Sequence, residues 1–157
     1  MMLADKSGAN LDDLRLLCER EENIEAREGF LVALAKLGDR KSQADFLQRL
    51  TDAKGDELKR FLEYVEYLGQ IWALHGLGPA LKDKTPLVGS PVCIAGVGIS
   101  ELLRDFPEYL RACDWAVNLI AKIARAGFSF AVNKAKNYAD AQLSEASRFL
   151  DSLPQVN

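Results

Sequence analysis

Histidine is all but missing: His75 is the only one in 157 residues. That excludes a His-rich metal centre and any mechanism that needs two imidazoles. Cysteine is scarce as well, since Cys18, Cys93 and Cys113 share no CxxC spacing and an odd count cannot close entirely into bridges within one chain. The expectation is reduced, buried structural thiols. There is no apolar run near the roughly 18 residues that a membrane span requires, no GxSxG elbow, and little strand-type alternation. The opening MMLADKSGANLDD has no apolar signal-peptide core, so a cytoplasmic protein with no membrane partner is expected. A net charge of −3 gives no hint of the strongly basic balance of a nucleic-acid-binding domain.

What the chain does have is a period. Gly38, Gly69, Gly98 and Gly127 lie 31, 29 and 29 residues apart, each preceded by an apolar residue: Leu37, Leu68, Val97 and Ala126. Four positions before them stand Leu34, Val65, Ile94 and Ile123; eight after, Phe46, Leu77, Phe106 and Ala135; twelve after, Leu50, Leu81, Leu110 and Ala139. Apolar residues at such spacings share one helix face, so each unit reads as a helical hairpin with glycine at the corner. Periods in the range of about 20 to 50 residues mark stacked repeats. The reading is one all-α domain over 1–157, an α-solenoid of about four hairpins. These pair 23–37 with 40–51, 56–68 with 70–82, 90–97 with 100–112 and 115–126 with 128–139, within units of about 23–53, 54–84, 85–113 and 114–140. Capping helices are expected at 9–21 and 141–153, because an end repeat has no neighbour to cover its apolar face.

Catalytic, metal-binding and cofactor-binding residues are all expected to be absent. VCIAGVG, at 92–98, has the look of a strand and a Gly-x-Gly turn, but the third position of a dinucleotide fingerprint falls on Glu101, whose charge repels phosphate. His75 sits beside Gly76, Gly78 and Pro79, which predict a bend in the second helix of the second unit. Three residues after each corner glycine come Lys41, Trp72, Glu101 and Phe130. If that column faces solvent, Trp72 is an exposed binding anchor; the alternative is that it plugs the bend at Gly76 to Gly78. Charge is uneven: Leu11 to Gly29 holds Asp12, Asp13, Glu19, Glu21, Glu22, Glu25 and Glu28 against Arg15, Arg20 and Arg27, whereas Leu119 to Ala139 holds Lys122, Arg125, Lys134 and Lys136 with no acid.

The segments LGDRKSQADFLQRLTD, LGQIWALHGLGPALKD and VGISELLRDFPEYLRACD, with acids at Asp52, Asp83 and Asp114, resemble HEAT repeats. The resemblance implies a curved scaffold whose second helices line a concave protein-binding side. On that basis the chain is expected to be a non-enzymatic protein-interaction module. It would hold another protein through Lys41, Asp45, Gln48, Trp72, His75, Glu101, Asp105 and Glu108. One alternative is a nucleic-acid-binding repeat protein using Lys122, Arg125, Lys134 and Lys136 against phosphates. Another is a small inhibitor, an immunity-type protein or an adaptor subunit whose N-terminal half-unit exposes apolar surface.

Overall fold

The computed structural model describes residues 11–91, 109–133 and 137–154, and the chain is mostly helical. It divides into two compact units, Met1–Arg49 and Leu50–Asn157. In the first, α1 (Leu11–Arg20) packs on α2 (Ile24–Lys36), and α3 (Arg40–Asp52) follows and crosses the boundary. Asn23 starts α2 by accepting the backbone N–H groups of Glu25 (2.9 Å) and Ala26 (3.2 Å), two of the donors that a helix start otherwise leaves orphaned. Leu31 to Ala35 are all buried, so this half of α2 is covered on every side.

The corner after α2 is made by glycine. Gly38 takes φ +93°, its N–H donates to Ala35 O (3.1 Å), and Asp39 N–H reaches back to Leu34 O (3.0 Å). This double pairing closes a helix end, and it favours glycine because a left-handed backbone crowds a Cβ. Asp39 then opens α3 by accepting both the N–H (3.0 Å) and the hydroxyl of Ser42. Ser42, Phe46 and Leu50 form the buried stripe of α3 at four-residue spacing.

In the second unit, α4 (Gly55–Leu68) buries Leu58, Phe61, Leu62, Val65 and Leu68 and ends at Gly69, with φ +60° and its N–H on Val65 O (3.0 Å). The expected bend follows: α5 (Ile71–Leu74), a 3-10 turn (His75–Leu77) and α6 (Gly78–Lys82) replace one continuous helix over 70–82. A short antiparallel pair, β1 (Pro86–Pro91) and β2 (Tyr109–Arg111), comes next, with a register shift between Pro86 and Pro91. The centre of this unit is α7 (Ala112–Ala124), which packs on α4, α5, α6 and β2 and is buried at eight positions between Ala112 and Ile120. Last, α8 (Asp140–Ser152) lies against α6 and α7, its start tied by the Gln142 side chain accepting from Ala139 N–H (2.9 Å).

Three expected helices are corrected. Over the described part of 128–139 the backbone is irregular, because the corner after α7 is formed by Arg125 at φ 52° rather than by Gly127, and no second helix follows. Phe128 and Phe130 stack at 5.0 Å with their planes 3° apart. Residues two apart point the same way only when the chain is extended, whereas a helix would set them about 200° apart. In the third unit, 109–111 are strand rather than the end of a helix over 100–112, and 90–91 are strand rather than the start of one over 90–97. Pro86 and Pro91 favour extended backbone on their N-terminal side and cannot donate within a helix. Residues 92–108, with Gly98 and the remainder of both expected helices, lie outside the described residues.

Candidate functional site

The residues expected to line one groove fall on different units. Lys41, Asp45 and Gln48 are exposed on the outer face of α3, in the first unit, with Asp45 in an ion pair to Arg49 (3.3 Å). Trp72 and His75 belong to the second. Trp72 is 9% exposed, and its indole N–H donates to the Gln70 side chain. It is therefore part of the bend's packing rather than an open anchor, and the column of Lys41, Trp72 and Phe130 does not share one environment. His75 Nε2 lies 3.0 Å from Pro154 O, tying the bend to the chain beyond α8. Glu101, Asp105 and Glu108 lie outside the described residues.

Of the four basic candidates, Lys122 is bonded to Glu66 at 2.8 Å and Arg125 is the exposed left-handed corner; Lys134 and Lys136 lie outside the described residues. The aromatics beside them turn to one another: Phe128 meets Phe149 edge-on at 5.7 Å, and Phe130 meets Tyr138 at 5.4 Å.

The densest polar arrangement surrounds Asp114, which is 0% exposed on α7. The Arg111 guanidinium grips it through two hydrogen bonds of 2.7 Å and also donates to Tyr138 O at 2.8 Å. Tyr138 N–H donates to Asp114 Oδ1 (2.8 Å), the Tyr138 hydroxyl donates to Asn118 Oδ1 (2.7 Å), and Asn133 N–H donates to that hydroxyl oxygen (2.9 Å). A non-helical segment over a buried helix has no backbone partners of its own, so side chains must satisfy it. Burial, then the neighbouring Asp114 charge, pushes the Cys113 thiol up to about 11, and burial likewise raises the Tyr138 hydroxyl above its ordinary value. These groups stay protonated near neutrality. The cluster is a clamp that fastens Asn133 and Tyr138 to α7, and its bonded groups present no open nucleophile.

Ser129 and Glu145 make a second tether. Ser129 gives its N–H and hydroxyl to the two Glu145 oxygens, which holds that carboxyl below its ordinary value. Of the thiols expected to be buried, Cys113 is buried, Cys18 is only half-buried, and Cys93 lies outside the described residues. Among the described residues no group of His, Cys, Asp and Glu could hold a metal ion, and no helix is long and apolar enough to cross a membrane.

Comparison with protein-family models, with curated proteins and with solved structures gives no match.

One exposed feature is unlike the rest. Leu16 and Leu17 on α1 are 44% and 50% exposed, and Ile24 at the start of α2 is 79% exposed. All three flank one turn, where the Cys18 thiol approaches Arg27 O (3.9 Å). Residues 11–29 hold seven acids and three bases, a sum of −4, with Glu28 the one buried acid among them. Sequence reading passed over these residues, although the signal was present. α1 carries leucines at 11, 14, 16 and 17, and Leu16 lies about 200° around the helix from buried Leu14, so one buried face cannot take them all. Ile24 precedes buried Glu28, Leu31 and Val32 by four, seven and eight residues, so it continues α2's core stripe beyond the part that is covered.

Proposed function

We propose that the chain is a non-enzymatic protein-interaction module built on a short helical-hairpin scaffold of the α-solenoid type, and that it binds through the turn between α1 and α2. The observation that carries this reading is the concentration of Leu16, Leu17 and Ile24, all large, apolar and open to solvent, within nine residues. Single exposed leucines are ordinary, but grouped apolar side chains rimmed by charge are what a protein interface uses. The adaptor reading expected apolar surface on the N-terminal half-unit, 9–21, which contains Leu16 and Leu17 but not Ile24. The nucleic-acid alternative draws no support from the described contacts, since Lys122 is held by Glu66 and the neighbouring rings pack on each other.

The test is photo-crosslinking in cells, with the reactive side chain placed at Leu17 or Ile24 and, as a control, at exposed Glu57 on α4. A discrete protein adduct from positions 17 and 24, absent from position 57 and lost on Leu16→Ser, is the expected result. Adducts that are equal at all three positions would refute the proposal.

A further inference from the structure

We infer that the partner seated on the α1–α2 turn presents an amphipathic helix with an apolar stripe flanked by lysine or arginine. This rests on the reading of Leu16, Leu17 and Ile24 as an interaction face and adds the chemistry of what covers it. The argument is charge complementarity. An apolar stripe on the partner is needed to cover three side chains that are 44%, 50% and 79% exposed. Leaving out buried Glu28, residues 11–29 hold six acids against three bases, a charge of −3, and part of the basic complement is already used: Arg15 bonds to Asp12 (2.8 Å) and to Asp39 (2.5 Å). A partner whose flanks are acidic brings like charges together at the edge of a desolvating contact, which costs affinity and slows encounter.

The same argument removes a second copy of this chain. Two copies meeting through this face in a symmetric pair would set −3 against −3. On this reading the complement is a different protein. A helix laid in by its apolar face and anchored at four- and seven-residue spacing is a general mode of peptide recognition, and basic flanks give it charge selectivity here.

The experiment titrates the whole protein against three labelled synthetic helices, read by fluorescence anisotropy. The first has a leucine stripe with lysine flanks, the second keeps the stripe with glutamate flanks, and the third keeps the lysines with serine in place of leucine. Only the first is expected to bind well, with the other two weaker by about tenfold or more, the scale of one lost anchor or one unfavourable charge contact. Added salt is expected to weaken the first. Leu17→Ser and Ile24→Ser are each expected to weaken it by about tenfold while the melting temperature stays put, because surface substitutions away from packed features rarely disturb a fold.

Equal binding of the lysine-serine peptide would reduce the effect to bulk electrostatics and overturn the inference. Equal binding of the glutamate-flanked peptide would overturn it as well. Self-association of the free protein that Ile24→Ser abolishes would make a second copy the occupant. If crosslinks form at Leu17 while the peptides fail to discriminate, the interaction face stands and only the partner's chemistry falls.

Discussion

The corner between α2 and α3 and the segment that follows α7 face the same difficulty, a chain leaving a helix with backbone groups to satisfy, and they meet it with different atoms. At residues 37–39 the backbone bonds to itself, with Gly38 N–H on Ala35 O and Asp39 N–H on Leu34 O. After α7 the donors go to side chains: Ser129 N–H to Glu145, Asn133 N–H to the Tyr138 hydroxyl, and Tyr138 N–H to Asp114. The first solution needs one glycine and tolerates change around it. The second depends on particular side chains, so single substitutions there should cost more.

Asp114→Ala is the strongest way to break this contrast. It leaves Arg111 without its carboxylate and the Tyr138 N–H without an acceptor in a buried site, so a loss of about 3–5 kcal/mol is expected in denaturant unfolding. A loss below that of any corner variant would remove the distinction. Tyr138→Phe keeps the ring and deletes the hydroxyl that links Asn118 to Asn133, for an expected loss of about 1–3 kcal/mol.

Asp39→Ala removes the residue that starts α3 and should cost about 1–2 kcal/mol. The hydrogen bonds from Ser42, and then the one from Arg15, hold this carboxyl at about 2 against an ordinary 3.8. Because the folded value is the lower one, the contribution is present in full above 3.8 and is lost as the pH falls through about 2. Acid titration of the wild type against Asp39→Ala should show the two stabilities converging only in that window. Convergence near neutrality would show that the carboxylate is not the stabilising form.

Glycine substitution gives the finest comparison. Gly69→Ala forces a Cβ into φ +60° and is expected to cost about 1 kcal/mol in thermal unfolding. Gly127→Ala meets open space and a backbone outside the left-handed region, so it should change stability by no more than about 0.5 kcal/mol. Equal effects at the two glycines would mean that the fourth corner uses Gly127 after all.

The apolar columns were legible where a helix on each side of the corner supplies them. Leu34, Phe46 and Leu50 around Gly38, and Val65, Leu77 and Leu81 around Gly69, are all buried. The register failed around Gly127, where Ile123 is only half-buried and Ala139 is exposed. An alanine at a repeat position fits a core and a surface equally well, so Ala135 and Ala139 carried no information about which they were. The alternation of Phe128, Phe130 and Val132 was the better guide to that stretch, because side chains two apart share a side only along an extended backbone.

For the candidate site the balance was poorer. The acidic rim of residues 11–29 could be counted from the letters, and the four leucines of α1 exceed what one face can bury. Which of them stay outside depends on how far α1 extends along α2, and no local pattern encodes that. Trp72 is the complementary case: its column, which contains lysine and glutamate, left an exposed anchor and a plug at the bend equally open, and the structure buries it with Gln70 accepting from its N–H.

By itself the order of residues determined the helical class, the two glycine corners at Gly38 and Gly69, the bend after Leu74 and the charge asymmetry, because each arises from spacing or backbone freedom within a few residues. Tertiary structure alone decided that Asp114 is buried, that Arg125 rather than Gly127 turns the chain, and that Leu16, Leu17 and Ile24 are left in water. Burial is a property of what lies on the far side of a residue, and in this fold that neighbour is as distant in the chain as Tyr138 is from Asp114.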